Sequence, residues 1–527
     1  MTQQKSENSI VPEGLRKLAP TRASAEESSQ RGGKGVPVDE TTSQPNLPFV
    51  TAENPVMKME GANANVDTDR SVSELCEVPK AKVKGRKRTS ATLERVIERL
   101  GKAWSKVASN KGAPGPDGKT IEEVGKSLTS ELRNLKVDLL SGKYEPGEIR
   151  RVYIPKPGGK GERGLGIPNV VDRIVQEAVR QVLEPVYEPE FHTNSHGFRP
   201  GRSCHSAIMQ AKKYVEAGHE WVVDLDLEKY FDRVNHQRLM AKLAEKVGDK
   251  ALLILIGKML KAKVIMPEGL AVRTEEGVPQ GGPLSPLLSN VVLDELDWEL
   301  EKRGHRFVRY ADDCNIFVKS ERSGKRVMES VSRFLEKRLR LKVNGDKSAV
   351  ANPNERHFLG FRLKADPLKE KVEILLSKRS MKRLKARIKE LTPRNWGNSM
   401  KACIAKINEY LRGWSGFFGI CTEEVECALK SADAHLRRRL RAIQLKHWKR
   451  KEIMARKLIA HGARRKTAWK SVYEGRKSIW KLSISGGAHS ALPPRKFAAW
   501  GLVSLRDTWL TKRKARVVME EQLCLPL

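Results

Sequence analysis

In ATLERVIERLGKAW (91–104), Leu93, Val96, Ile97, Leu100 and Trp104 recur at helical spacing, the pattern of a helix buried along one face. From there to about residue 365, short apolar runs alternate with helical segments. RRVYIPKP (150–157), EWVVDLDL (220–227), HRFVRYADDCNIFVKS (305–320) and FLGFRL (358–363) read as strands, so this region is predicted to be α+β. After residue 378 the pattern turns helical. Met381, Leu384, Ile388 and Leu391 form one stripe, with basic residues on the other face. KINEYLRGWSGFF (406–418) and AHLRRRLRAIQLKHWKR (434–450) continue in that style, and Leu436, Leu440 and Ile443 make a core stripe flanked by Arg437, Arg438, Arg439 and Arg441. SISGGAHSALPP (483–494) reads as a loop from its Gly, Ser and Pro content. Residues 1–85 are rich in small and polar residues with little periodicity, and read as a disordered extension.

At 527 residues the chain suggests two to four domains, and 39% hydrophobic content is enough to build cores. The formal net charge of +36 changes the picture more. Such a surplus calls for a polyanion, either nucleic acid or an anionic membrane. It is also uneven. Residues 378–470 hold 26 Lys and Arg against 7 Asp and Glu, whereas residues 1–70 hold 8 against 10. No apolar run approaches the ~18 residues of a membrane span, and MTQQKSENSIVPEG has no signal core. The expectation is a soluble, intracellular protein without a membrane partner. The seven cysteines are scattered with no C-x-x-C pair, which fits reduced thiols and argues against a zinc ribbon.

The candidate chemistry lies in carboxylates set among apolar residues. Phe307, Val308, Ile316, Phe317 and Val318 look like two buried strands, and Tyr310–Asp313 reads as their tight connection. A hairpin tip can carry two acids that a central strand could not. WVVDLDLEKYFDRVNH (221–236) places Asp224 and Asp226 at the end of another strand, before what looks like a strand-to-helix junction. Asp226, Asp312 and Asp313 brought side by side would be too dense an anionic site to stay ionised without cations. Hard, oxygen-loving Mg²⁺ suits them, and two such ions are a standard device for in-line phosphoryl transfer.

YADD together with DLEKYFD resembles the palm of reverse transcriptases. NKGAPGPDG (110–118), RRVYIPKPGGKGERGLGIPNVVDRIVQ (150–176), SHGFRPGRS (195–203), GVPQGGPLSPLLSN (277–290), LKVNGDKS (341–348) and FLGF (358–361) follow in the order of the blocks of bacterial group II intron reverse transcriptases. INEYLRGW (407–414) resembles that family's thumb, or maturase X, domain, so the likeness spans roughly residues 90–510. The resemblance implies an α+β right-hand polymerase with fingers and palm over 86–365, a helical thumb over 366–450 and a small, basic DNA-binding-like domain over 451–527.

It also implies residue roles. Asp226, Asp312 and Asp313, with the Leu227 carbonyl, would hold two Mg²⁺ ions, Mn²⁺ being able to substitute. Phe231 falls where the family stacks an aromatic under the incoming sugar and so favours dNTPs; simple core packing is the alternative. Lys156 and Arg163 flank a Gly-rich hairpin that would close on the triphosphate, the lysine as a point charge and the arginine as a bidentate fork. Gln280 lies where the family contacts the nucleotide. The chain departs from the family's R-P-L-G-I-P, reading Arg163-Gly164-Leu165-Gly166-Ile167-Pro168. That loosens the hairpin, and its altered spacing makes Lys160 an alternative to Lys156.

The basic thumb would grip intron RNA and template–primer duplex through phosphate contacts, with Arg412, Arg437, Arg438, Arg441, Lys449, Arg450, Arg464 and Arg465 as candidates. Tyr410, Trp414, Phe417 and Phe418 are expected in the core rather than under bases. After residue 470 only Cys524 and His489 remain as soft metal ligands, so no H-N-H endonuclease is expected and the ending resembles class C proteins. The implied function is double: a maturase that helps its intron RNA splice, and a polymerase that copies the intron from a DNA target primer with dNTPs after reverse splicing. A bacterial cytoplasmic location, at the nucleoid during retrohoming, follows from the resemblance; homodimer formation stays open. The rivals are a splicing-only maturase, a domesticated enzyme of repair or phage defence, and an RNA-dependent RNA polymerase, which Phe231 disfavours.

Overall fold

Thr92 opens the first helix, Leu93–Ser109, by accepting from the Arg95 amide, and Val96, Leu100, Ala103 and Val107 form its buried stripe. This helix packs on Val170–Tyr187, an amphipathic helix buried along most of its length. The structure is a computed structural model describing residues 91–156, 161–366, 371–422, 424–475 and 478–523. The expected disordered extension, 1–85, lies outside the described residues.

Among the described residues ten strands follow in chain order: β1 (Ile149–Pro155), β2 (Glu162–Ile167), β3 (Trp221–Leu225), β4 (Val264–Ile265), β5 (Ala271–Val272), β6 (Arg306–Tyr310), β7 (Asp313–Val318), β8 (Ala349–Ala351), β9 (Phe361–Asp366) and β10 (Lys371–Leu376). They form three sheets. One has the order β2-β1-β4-β5, the central one β6-β7-β3-β8, and β9 pairs with β10 alone. In the central sheet all neighbours are antiparallel, and the register sets Asp224 opposite Asn315, Leu225 opposite Cys314 and Tyr310 opposite Asp313.

The central sheet is covered on both faces, which explains its unbroken apolar runs. Val223, Leu225, Phe307 and Ile316 point into one core with the helices Leu93–Ser109, Val170–Tyr187 and Ser285–Lys302. The alternate residues Val222, Val308 and Phe317 point into a second core, shared with β9, β10 and the C-terminal helices. Strand periodicity of two assigns each side chain its face. The helices Lys378–Leu391, Met400–Phe418 and Val425–His447 build that second core, with Leu384, Ile388, Ile407, Leu411, Leu436, Leu440 and Ile443 buried. A mixed helix-and-strand fold giving way to helices is the architecture expected.

The expected loop at 483–494 is instead partly helical, over Gly486–Ala491. Ser485 caps it by accepting from the Ala488 amide, and Gly487, Ala488 and Ala491 are buried. The Gly487 amide donates to Ser471 Oγ at 3.0 Å. The small residues allow close approach to the helix Arg465–Tyr473 rather than a turn. No helix among the described residues is long and apolar enough to cross a membrane.

Candidate active site and nucleic-acid interface

β3 and β7 end at the same edge of the central sheet, so Asp226, one residue past β3, comes beside Asp313, the first residue of β7. Asp312 occupies the turn, with Ala311 before it in the left-handed region at φ 58°. The sheet interior cannot hold these acids, but its edge can. Burial and the charge of Asp226 raise the Asp312 carboxyl, while Arg163 and Arg309 oppose the shift. Asp313 is pushed up to about 7 by desolvation and by the charges of Asp312, Asp224 and Asp226. Asp313 as a residue is nonetheless exposed, so the crowding of like charges is the cause its position supports best.

Cations already answer this crowding. Lys347 Nζ lies 2.9 Å from Asp226 Oδ2. Arg356 reaches Asp224 Oδ2 with Nε at 2.8 Å and Nη2 at 2.5 Å, and Nη2 also donates to the Lys347 carbonyl at 2.7 Å. Among the described residues no three acidic, His or Cys side chains are closed around one point as a preformed cage. The donor set still suits a hard divalent cation. It is all oxygen, it is anionic beyond what the neighbouring cations offset, and Lys347 already places a positive charge on Asp226. Leu227 forms an isolated bridge with Val343 in which the hydrogen bonds run through the flanking residues, Glu228 to Lys342 and Asn344 to Asp226. Its own carbonyl is left out of that ladder.

The turn is held from behind by a group that the sequence reading passed over. Arg309 is fully buried and all five of its N–H donors are used. Nε donates to Asp297 Oδ1 at 2.7 Å, Nη1 to Asn290 Oδ1 at 3.0 Å and to the Ala311 carbonyl at 2.9 Å, and Nη2 to Ser195 Oγ at 2.7 Å and Asp297 Oδ2 at 2.5 Å. Asp297, also fully buried, comes from the helix Ser285–Lys302. Segment 194–197 is laced to the same turn. Arg309 donates its amide to the Asn194 carbonyl, His196 donates to the Arg309 carbonyl, and a Cβ on Gly197 would come 2.2 Å from the Ala311 nitrogen. One signal was present in the sequence: an arginine inside the apolar run FVRYADD is too costly to bury unless paired, whereas Asp297 lies among other acids of its helix and does not stand out.

The other expected contacts are arranged around this edge. Arg163 stands opposite Ile154 in the β1–β2 hairpin and is near enough to Asp312 to lower its pKa. Lys156 is exposed at the hairpin end, its amide donating to the Gly161 carbonyl at 2.9 Å; Lys160 lies outside the described residues. Gly164 keeps its register opposite Tyr153. A Cβ there would lie 2.4 Å from Arg151 Nε, and Arg151 in turn pairs with Asp232 at 3.0 Å. The space freed by the missing proline is thus filled by a guanidinium that ties the hairpin to the segment carrying Phe231. Phe231 is half-buried, edge-on to the buried Tyr230. The Gln280 carbonyl accepts from the Gly166 amide at 2.7 Å, and Gly281, at φ 130°, lies so close to Gly166 that a Cβ would approach its oxygen to 2.5 Å.

The basic candidates divide. Arg412, Lys449, Arg450, Arg464 and Arg465 are exposed, and Arg437 is half-buried. Arg438 stacks on Trp480 at 3.9 Å. Arg441 is a correction to the surface role expected of it: only 4% exposed, it faces the Leu492 carbonyl in the interior. The helix Val425–His447 is covered on that side by C-terminal helices, which turns Arg441 inward. Arg439, likewise buried, donates to Thr392. Trp414, Phe417 and Phe418 cluster with Phe361 at centroid distances of 4.7–5.6 Å, and Tyr410 packs on the same core.

Residues 154–363 match the family described as reverse transcriptase (RNA-dependent DNA polymerase), and residues 381–462 match the group II intron, maturase-specific domain. The second match runs past the thumb boundary expected at 450. Protein YkfC of Escherichia coli (strain K12) is 38% identical over 307 residues, covering 50% of this chain and 80% of YkfC. Group II intron-encoded protein LtrA of Lactococcus lactis subsp. cremoris is 30% identical over 328 residues, covering 50% of this chain and 54% of LtrA. Nuclear intron maturase 4, mitochondrial, of Arabidopsis thaliana is 36% identical over 140 residues, 27% of this chain and 17% of that protein. The chain therefore spans about half of LtrA and less of the plant maturase. With the polymerase and maturase segments in this order and most of YkfC covered, the chain belongs to the group II intron-encoded reverse transcriptase and maturase family of RNA-directed DNA polymerases.

Proposed function

We propose that Asp226, Asp312, Asp313 and the Leu227 carbonyl hold divalent cations, Mg²⁺ by the hardness of the donors, and that this edge of the sheet is where an RNA template is copied into DNA. The observation that carries the reading is the meeting of acids from two strands at one sheet edge, where desolvation and the charges of Asp312, Asp224 and Asp226 together push Asp313 up to about 7. When bound, such ions activate the primer 3′-hydroxyl and neutralise charge on the leaving group. The protein's own part is positioning. Lys156 and Arg163 offset triphosphate charge from the hairpin, and Arg151, through Asp232, ties that hairpin to the palm. Phe231 offers a ring face to the sugar and so favours dNTPs, and Gln280, on a loop pinned by Gly166, contacts the nucleotide. Lys347, 2.9 Å from Asp226 Oδ2, offsets part of that carboxylate's charge.

The exposed Arg412, Lys449, Arg450, Arg464 and Arg465 supply phosphate contacts to intron RNA and to template–primer duplex. The protein thereby stabilises its intron's fold for splicing, and primes reverse transcription from a DNA target during retrohoming. The test is primer extension on an RNA template with Mg²⁺ and dNTPs, comparing wild type with Asp312→Asn/Asp313→Asn. Extension by wild type alone supports the reading. If wild type fails to extend across a range of salt yet promotes splicing of its intron RNA, the acids are relics and the protein is an RNA-binding maturase.

A further inference from the structure

The segment His192–Arg202 is held rigidly. Arg199 is buried, donating Nη1 to the His192 and Ser195 carbonyls at 2.6 and 2.9 Å and pairing with Glu188. Asn290 Nδ2 donates to the Gly197 carbonyl at 2.9 Å, and Arg202 donates to the Thr193 carbonyl at 3.1 Å. Within 195–199 every residue is buried except Phe198, which is 49% exposed. Phe198 also sits at φ 59°, in the left-handed region. A bulky aromatic is an outlier there, and such strain persists only where the surroundings impose it. The surroundings here are the catalytic turn itself, since Gly197 is pressed against the Ala311 nitrogen.

The position has one neighbour on each side. Behind Gly197 lies the turn carrying Asp312 and Asp313. Beyond Ser203 the helix Cys204–Glu216 begins, and His205 Nε2 bonds the Phe417 carbonyl of the thumb at 2.6 Å. Phe198 therefore lies on a rigid strap between the polymerising edge and the thumb. Core packing does not account for a ring half in water, and folding alone would favour Gly or Asn at this φ.

We propose that Phe198 is a stacking platform for an unpaired template base or the terminal base of the template–primer, beside the catalytic turn. This rests on the polymerase reading. A strained, preordered ring loses little entropy on stacking, and base–aromatic stacking is indifferent to sequence, as a copying enzyme requires.

The experiment measures binding of an RNA-template–DNA-primer duplex by full-length protein, with 2-aminopurine placed either in the template or at the primer 3′ end. Wild type quenches the probe in the strand that meets the ring, which tells the two strands apart. Phe198→Ala and Phe198→Gly lose that quenching and weaken duplex binding about 5- to 150-fold, while Phe198→Tyr retains both. The thermal midpoint of Phe198→Gly stays at the wild-type value or rises, because the left-handed strain is relieved. Unchanged quenching and affinity in Phe198→Gly would overturn the proposal. So would a fall in its thermal midpoint, which would make the ring structural. Quenching that depends on Phe198 in a protein unable to extend primers would sink the polymerase reading and leave the platform standing.

Discussion

Arg309→Lys is the most informative single change behind the candidate active site. The guanidinium makes five hydrogen bonds to four residues at 2.5–3.0 Å with no exposure to water. An ammonium has three donors on a flexible stem. At least two of the five acceptor positions lose their donor, each at about 1–3 kcal/mol when buried, so the expected loss is about 2–6 kcal/mol. Asp297→Asn approaches the same site from the other side. It keeps shape but leaves a buried guanidinium without its counter-charge, a change typically worth about 3–5 kcal/mol. Against a total stability of about 5–15 kcal/mol for a domain, either change is severe.

The assay is urea denaturation followed by tryptophan fluorescence, with primer extension on the folded fraction. Because Nη1 also holds the Ala311 carbonyl, Arg309→Lys should cut the extension rate of protein that remains folded, beyond its effect on stability. Ser195→Ala, which deletes one acceptor only, should cost the least of the three. An unchanged denaturation midpoint and an unchanged extension rate in Arg309→Lys would refute the view that this hub sets the turn.

Gly164→Ala should displace Arg151 from Asp232, raising the dNTP KM several-fold with little change in kcat, as a weakened interaction worth roughly 1 kcal/mol would do. Asp294, pushed up to about 6 by burial and by the charge of Asp297, is less stable ionised in the fold than in the unfolded chain. The stability it supplies is complete below its ordinary carboxylate range and is lost as pH rises through 6, so Asp294→Asn should gain about 1–2 kcal/mol over wild type at pH 7.5 and nothing at pH 3.5, read by denaturation at both values. Replacing Lys449, Arg450, Arg464 and Arg465 by Ala should flatten the slope of log affinity against log salt by about 3 for single-stranded RNA; Arg441→Ala should leave that slope alone and lower the melting midpoint instead. Chelation of divalent cations should abolish extension while leaving RNA binding measurable by filter retention.

Much of this protein was legible along the chain. Alternating apolar runs marked the strands because period two is a local property, and the stripe through Leu384 and Ile388 marked a helix for the same reason. YADD and DLEKYFD pointed to the acids because carboxylates among apolar residues are costly without a purpose. The sequence could not show that Asp226 and Asp313 meet just past the last pair of the β3–β7 ladder, Leu225 and Cys314, because that pairing joins residues some ninety positions apart. It could not sort Arg441 and Arg439, which are buried, from Arg412 and Lys449, which are not, because a run of arginines has the same charge whichever side of the helix is covered. Nor did it show why Gly164 replaces a proline, since Arg151 reaches it only across the hairpin. Composition and period thus determined the elements, the charge and the candidate chemistry. Only the tertiary structure decided which charges are compensated, because burial and pairing depend on what other segments bring to the same place.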